Sequence, residues 1–318
     1  MSRINSLRLM TRVAQMYYLE NLSQSEISQQ THISQATISR LLKKAHTEGI
    51  VKFAINVPRG IYPEIENELR RRYGIPEVIV TECGADHEDS ILSSIGEAAA
   101  HYLENTLGQG EVIGISSWSA SLLRMVDKLH PVKRVVADRV VQLMGGIGNP
   151  AVQVHATHLT TRLAQLTGAS PQLLPSPTVA SSAGARDVLR SDPNVKAALE
   201  LGRHVTLALI GVGAVEPSYM LANSGNVFTS DELHDVADKG AVGDVCLRFF
   251  DREGNPVRTE LDSRVIGISL DDLKQVPRVI CVAGGARKIE ALRGALLGRF
   301  MNVLITDRFT ATKLLAIS

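Results

Sequence analysis

Apolar positions recur at helical spacing in three segments within the first fifty residues, then give way to short apolar runs alternating with longer helical stretches. Leu9, Val13, Met16 and Tyr17 mark one face of a helix over residues 7–19. Leu22 and Ile27 anchor a short helix that runs to about Gln30 and opens at Ser23-Gln24-Ser25-Glu26, the spacing of a capping box. Only Thr31-His32-Ile33 separates it from a third helix, capped by Ser34, in which Ile38, Leu41, Leu42 and Ala45 share the inner face. Two short helices joined by so tight a turn form a helix-turn-helix, and the preceding helix buries their inner faces.

The outer face of the third helix carries Gln35, Ala36, Thr37, Ser39, Arg40 and Lys43, with Ser34 before it and Lys44 beside it. Small polar side chains near a helix start suit base edges in a major groove, and cations further along suit phosphates. On that basis Gln35, Thr37, Ser39 and Arg40 read bases while Lys43 and Lys44 position the helix on the backbone. An ordinary amphipathic surface helix has the same periodicity, so charge decides between them. Residues 1–57 hold seven Lys/Arg against three Asp/Glu, a charge of +4 on a chain whose total is +1. A basic segment on a near-neutral chain is an electrostatic footprint for nucleic acid.

Beyond Gly49, residues 50–57 read as extended, a small wing or a connector strand. Pro58-Arg59-Gly60-Ile61-Tyr62-Pro63 is the clearest linker. The chain is thus expected to hold a DNA-binding domain over 1–57, a linker over 58–63 and a large domain over 64–318. The large domain begins with a charged helix at 64–73. Apolar strands follow at Val78-Ile79-Val80, Val112 to Ile115, Val140 to Met144, Leu207 to Ile210, Val279 to Val282 and Val303 to Ile305. Long helices fall between them at 90–107 and 151–166. That rhythm predicts a parallel sheet covered on both faces. Residues 242–266, with Asp251-Arg252-Glu253-Gly254-Asn255 as turn signal, read as a hairpin insertion.

Length and composition (318 residues, 44% hydrophobic, 21% charged) suit one small and one large globular domain. Cys83, Cys246 and Cys281 are odd in number and form no C-x-x-C pattern, which argues for a reducing compartment and against structural zinc or disulfides. The opening residues lack a signal-peptide pattern and no run approaches membrane-spanning length, so a cytoplasmic protein without membrane partners is expected.

Ligands of open α/β sheets bind beyond the carboxyl ends of the strands. Those turns here are rich in Gly and Ser: Gly114 to Ser121, Gly145-Gly146-Ile147-Gly148-Asn149, Gly211-Val212-Gly213 and Gly284-Gly285-Ala286-Arg287-Lys288. Small residues let backbone N–H groups approach an anion, and Lys288 adds a full cation, a combination that favours a phosphorylated small molecule. No loop has the G-x-G-x-x-G or G-x-x-x-x-G-K-[ST] pattern, so NAD and ATP are poor candidates and no cofactor is expected. His155 and His158 lack a third ligand for a metal. Asp244, in the small-residue run Gly240-Ala241-Val242-Gly243-Asp244, is placed either to accept hydrogen bonds from sugar hydroxyls or to cap local amides. Thr306-Asp307 is read as the cap of the last helix.

The ordered motifs L-S-Q-S-E-I-S (22–28), T-I-S-R-L-L-K-K-A (37–45), L-M-G-G-I-G (143–148), I-G-V-G-A-V (210–215), K-G-A-V-G-D (239–244), V-A-G-G-A-R-K (282–288) and L-I-T-D (304–307) resemble the SorC-type sugar-responsive bacterial transcriptional regulators over nearly the whole chain. The resemblance implies a Rossmann-like α/β effector domain similar in fold to sugar-phosphate isomerases, binding a phosphorylated sugar without turning it over. It also implies a dimer or tetramer that releases or re-grips operator DNA of a carbohydrate-utilisation operon. By motif, Gly114, Ser116, Ser117, Ser119 and Ser121 would form the first effector loop, with Gly145 and Gly146 beside them. Asp244 would meet sugar hydroxyls, and Lys288 with the Gly284-Gly285 backbone would meet phosphate. Where relatives carry more glycine in the first loop, this chain has Ser116, Ser117 and Trp118. Met144 stands where a Schiff-base lysine would be sought, so noncovalent binding is expected. The rival reading, a sugar-phosphate isomerase with a DNA-binding appendage, needs a general base, and Asp244 is the only carboxylate to nominate. An interaction scaffold fits poorly with so many Gly/Ser-rich strand ends.

Overall fold

Successive side chains of a strand point to opposite faces of its sheet, and in the large part of this chain both faces are apolar. Within Leu207–Ile210, Leu207 and Leu209 enter one buried layer while Ala208 and Ile210 enter the other. Ile280 and Val282 alternate in the same way with Val279 and Cys281. Strands buried on both faces read as continuous apolar runs, which is why these segments are recognisable as central and parallel.

The computed structural model describes residues 3–133, 136–225 and 228–317. The chain divides into two compact units, Met1–Pro58 and Arg59–Ser318. In the first, α1 (Arg3–Tyr18), α2 (Gln24–Thr31) and α3 (Gln35–Thr47) enclose a core of Met10, Val13, Met16, Ile27, Ile38, Leu42 and Ala45. Ser23 and Glu26 form the capping box of α2: the Ser23 N–H donates to Glu26 Oε2 at 2.8 Å and the Glu26 N–H to Ser23 Oγ at 3.3 Å. His32 ends α2 with a left-handed φ of 55°. Residues 50–57 differ from the extended-strand expectation. Ile50 and Val51 donate their N–H groups to Ala45 O, closing α3, and residues 52–57 have no strand to pair with. Three helices offer no edge for a ladder, so Phe53 instead packs edge-on to the Tyr18 and His46 rings.

The second unit comprises α4 (Pro63–Tyr73), β1 (Glu77–Thr81), α5 (Glu88–Thr106), β2 (Val112–Ile115), α6 (Ala120–Lys128), β3 (Arg139–Gln142), α7 (Pro150–Thr167), β4 (Ser170–Gln172), α8 (Ala183–Ser191), α9 (Pro193–Arg203), β5 (Leu207–Ile210), β6 (Gly213–Ala214), α10 (Tyr219–Asn223), α11 (Ser230–Asp238), β7 (Ala241–Val245), β8 (Arg248–Asp251), α12 (Leu270–Gln275), β9 (Arg278–Val282), α13 (Ile289–Leu297), β10 (Val303–Asp307) and α14 (Arg308–Ala316). Its main sheet is parallel throughout, in the order β1-β10-β9-β5-β2-β3-β4. From β2 the chain steps outward through β3 and β4, then returns to the other side of β2 through β5, β9 and β10. Strand order therefore reverses between β2 and β5, the switch point of a doubly wound fold. A second, antiparallel sheet of β6, β7 and β8 packs beside it.

The expected hairpin is present, but its turn lies elsewhere. Val245 pairs with Arg248 across Cys246 and Leu247, whose φ values of 53° and 59° meet the requirement of a type I′ turn. The Asp251 to Asn255 signal makes a later turn, in which Asp251 Oδ1 accepts the N–H groups of Glu253 and Asn255. Within the expected linker, Ile61 bridges Thr81 and Tyr62 packs on the core of the second unit.

The only tryptophan, Trp118, is buried in the second unit, so its fluorescence reports that unit alone. Truncating Leu209, which is fully buried, is predicted to lower the urea midpoint read by Trp118 by the equivalent of about 2–5 kcal/mol. A loss below about 1 kcal/mol would contradict its place in the core.

Candidate functional site

Three strand ends converge at the switch point. β2 ends at Ile115 and the chain turns through residues 116–119 into α6. From β5 the chain passes through Gly211 and Val212 into β6, and from β9 it passes through residues 283–288 into α13. These turns, the start of α5 and the β7–β8 hairpin enclose a cavity of about 240 Å³. Its apolar wall includes Ile91, Leu92, Trp118, Met144, Val212 and Leu221, and its polar groups include Ser116, Ser119, Asp244 and Lys288. Trp118 is held in place by its ring N–H, which donates to Gly145 O at 3.1 Å and lies 3.2 Å from Thr178 Oγ1.

Asp244 is the buried carboxyl of this cavity. β7 places it opposite Gly213 of β6, where a Cβ would lie 2.2 Å from Asp244 Oδ1, so only glycine leaves the carboxyl its space. Its Oδ2 accepts the Leu247 N–H at 2.9 Å, tying the carboxyl to the left-handed hairpin turn. Burial raises its pKa to about 6, against the smaller opposing effects of that hydrogen bond and of the Lys288 charge. Lys288 is held below the usual lysine range by burial, partly offset by the nearby acidic groups, and no hydrogen bond or ion pair reaches its ammonium among the described residues. Cys246 also lines the cavity, but burial pushes its thiol up to about 12 and keeps it neutral. At the rim, Arg287 pairs with Glu216 at 3.1 Å, both largely exposed.

Of the effector residues nominated from sequence, Ser116, Ser119, Asp244, Gly284, Gly285 and Lys288 line the cavity. Ser119 also caps α6 by accepting the Leu122 N–H at 3.4 Å. Gly285 has its own N–H donated to Thr310 Oγ1 at 2.7 Å, so that amide is already engaged. Of the loop's two cations, Arg287 is paired with Glu216 at the rim, which leaves Lys288 as the one without an ion pair among the described residues. Gly114, Ser117, Ser121, Gly145 and Gly146 stand outside the lining, each for a packing reason. Gly114 lies inside β2 against Leu143 and Val205, Gly145 against the Ser176 and Pro177 backbone, and Gly146 against Gln142. Ser117 Oγ donates to Met144 O at 2.8 Å and Ser121 Oγ to Val282 O at 2.6 Å. Residues that sequence reading passed over include Ile91 and Leu92, which on a helix look like ordinary core positions, and Leu247, whose turn carries no Gly or Asn signal. Asp307 caps α14, its Oδ1 accepting the Phe309 and Thr310 N–H groups. Among the described residues no group of three or more His, Cys, Asp or Glu side chains gathers as a metal site, and no helix is long and apolar enough to cross a membrane.

In the first unit, the capping hydroxyl of Ser34 accepts the Thr37 N–H at 3.4 Å and lies 2.9 Å from Thr37 Oγ1. Ser34, Gln35, Ala36, Ser39, Arg40, Lys43 and Lys44 are exposed, and Thr37 is half-buried. Arg40 Nε donates to Ala36 O at 3.2 Å, lying along the outer face of α3. A short uncharged start followed by three cations has the layout of a groove-reading helix.

Comparison with known proteins joins the two sites. Residues 62–316 match the sugar-binding domain family, and residues 10–47 match sigma-70 region 4. The deoxyribonucleoside regulator of Bacillus subtilis is 32% identical over 96% of this chain and 97% of its own. The crystal structure of the full-length sorbitol operon regulator SorC from Klebsiella pneumoniae is 28% identical with a TM-score of 0.72, covering 98% of this chain and 99% of that one. The sugar-binding domain of the transcriptional regulator DeoR from Pseudomonas syringae pv. tomato is 41% identical with a TM-score of 0.64, covering 80% of this chain and all of that domain. With a helix-turn-helix at its front and the sugar-binding fold behind, this chain belongs to the SorC-type family of sugar-binding transcriptional regulators.

Proposed function

We propose that the switch-point cavity binds a small phosphorylated sugar noncovalently and that its occupancy controls how α3 grips operator DNA. The observation that carries this reading is the meeting of one desolvated carboxyl and one unpaired ammonium in a single small cavity. Its volume, about 240 Å³, lies below the ~300–1,000 Å³ of drug-sized pockets and suits a compact polar ligand. Sugar hydroxyls would donate to Asp244 and exchange hydrogen bonds with Ser116 and Ser119. Phosphate would face Lys288, offsetting the cost of holding that cation partly out of water. The named relatives are a deoxyribonucleoside regulator and a sorbitol operon regulator, which supports a carbohydrate effector here.

With Asp244 accepting sugar hydroxyls and Lys288 facing phosphate, neither is left to act as acid or base at the substrate carbon, which supports binding without catalysis. Met144 lines the cavity where a lysine would be needed for an imine at that turn. Ligand binding moves the DNA equilibrium only through different affinity for the gripping and released states. A helix-turn-helix acts in pairs on half-sites one helical turn or a multiple apart, so a homo-oligomer, dimer or tetramer, is the acting form. Ser34 and Ala36 would sit at the groove end of α3 beside the base-reading Gln35, Thr37, Ser39 and Arg40, with Lys43 and Lys44 on phosphates.

Arg40→Ala is expected to weaken binding of the chain's own promoter fragment about 10–100-fold at low salt while leaving effector-induced thermal shifts unchanged. Equal DNA affinity in an electrophoretic retardation assay would remove Arg40 from the reading surface. A panel of sugar phosphates should raise the melting temperature of the full chain, and Lys288→Gln should weaken that binding about 10-fold or more. If no sugar phosphate shifts the melting point, the effector assignment fails.

Asp244 has a folded-state pKa above its unfolded value, so the folded chain takes up the proton first and its ionised carboxyl costs stability. That cost is present in full above about pH 6 and vanishes as the pH falls toward 4. Asp244→Asn is therefore expected to stabilise the unliganded chain at pH 7 by up to about 3 kcal/mol and to weaken sugar binding. Wild-type affinity should fall below about pH 6 more steeply than that of the variant, in a calorimetric pH series. Parallel pH profiles would exclude Asp244 from ligand contact.

A further inference from the structure

A second cavity lies on the other side of the β7–β8 hairpin. It measures about 270 Å³ and opens between the end of β3, the last turns of α8 and α9, and β8. Three arginines line it: Arg190, Arg203 and Arg248. The one carboxylate in its wall, Asp272, already accepts the Ser269 hydroxyl at 2.7 Å. Arg248 is deeply buried, its side chain 13% exposed, and is fixed by Asp262 O at 3.0 Å and Asp262 Oδ1 at 3.3 Å. Arg190 has neither a hydrogen bond nor an ion pair among the described residues, and its charge adds to the cost of keeping Arg248 ionised. Arg203 touches only Glu200, at 3.2 Å, in an exposed pair of little energetic weight. A neighbouring, more open hollow shares Arg190 and Arg203 and mixes Lys196 with the carboxylates of Asp187 and Glu200, so the unbalanced positive charge belongs to the arginine-lined cavity itself.

Arginines in the last turn of a helix offset its C-terminal partial charge, which accounts for Arg190 and Arg203 taken singly. That role does not explain why both, with the buried Arg248 of a different element, face one cavity. Like charges brought together repel unless an anion lies between them, and the planar guanidinium matches a phosphate's oxygens.

We propose that this arginine-lined cavity is a second anion site, distinct from the effector cavity, that takes a phosphate group. The inference stands whether or not the switch-point cavity binds a sugar. It is tested on the full chain by titration calorimetry with inorganic phosphate and with glycerol phosphate, at constant ionic strength. Lys288→Gln removes the cation of the effector cavity, and in that background phosphate should still bind. Adding Arg190→Gln and Arg203→Gln, both at partly exposed helix ends, should weaken the remaining binding at least about 10-fold. Trp118 fluorescence melts verify that each variant is folded. Tighter binding of glycerol phosphate than of inorganic phosphate would identify a phosphate monoester as the occupant, and the reverse would identify the free ion. Loss of all phosphate binding in Lys288→Gln alone, or its survival unchanged in the triple variant, would overturn the proposal.

Discussion

A doubly wound sheet must diverge somewhere, and here the divergence falls between β2 and β5. The chain leaves β2 for helix α6 but leaves β5 for strand β6, so the two turns do not close over the sheet end, and a hollow is left. The buried Asp244 carboxyl and the half-buried Lys288 ammonium both border that hollow. The β6–β8 sheet packs beside it and carries the one buried carboxyl of the cavity. Glycine at 213 and the left-handed Cys246-Leu247 turn are both needed to seat that carboxyl. Neither feature serves stability. Non-glycine residues with positive φ cost energy, and so does a desolvated carboxylate.

A fold tolerates such costs where a ligand repays them. The unliganded cavity keeps a carboxyl out of water and a half-buried ammonium near it without joining them in an ion pair, and keeps a strained turn beside the acid. A molecule that donates to Asp244 and neutralises Lys288 relieves both at once. The same logic separates this site from an exposed charged patch, where the groups are already solvated and have little to gain.

Local rules were the legible ones. The Ser23–Glu26 box, the Ser34 cap and the Asp307 cap each depend on residues within three positions, and each is present. Central strands such as β5 and β9 were readable because burial on both faces leaves an uninterrupted apolar run. β4, by contrast, is Ser170-Pro171-Gln172 at the sheet edge, with no apolar run to announce it. The hairpin turn escaped because a type I′ turn normally advertises itself with Asn or Gly, and Cys246-Leu247 looks like strand. Glycine near a strand end is ambiguous from sequence, since Gly114 and Gly145 are each needed where neighbouring side chains or backbone leave no room for a Cβ. What periodicity cannot supply is convergence over distance: Ile91, Met144 and Asp244 share a cavity only because the sheet order brings them together.

The largely apolar wall of the cavity has a thermodynamic corollary. A sugar that settles against Trp118, Met144 and Val212 removes that surface from water, and association then carries a negative heat-capacity change. The enthalpy of such an association would therefore grow more favourable as temperature rises, so the balance between enthalpy and entropy at this cavity would differ between a cold cell and a warm one.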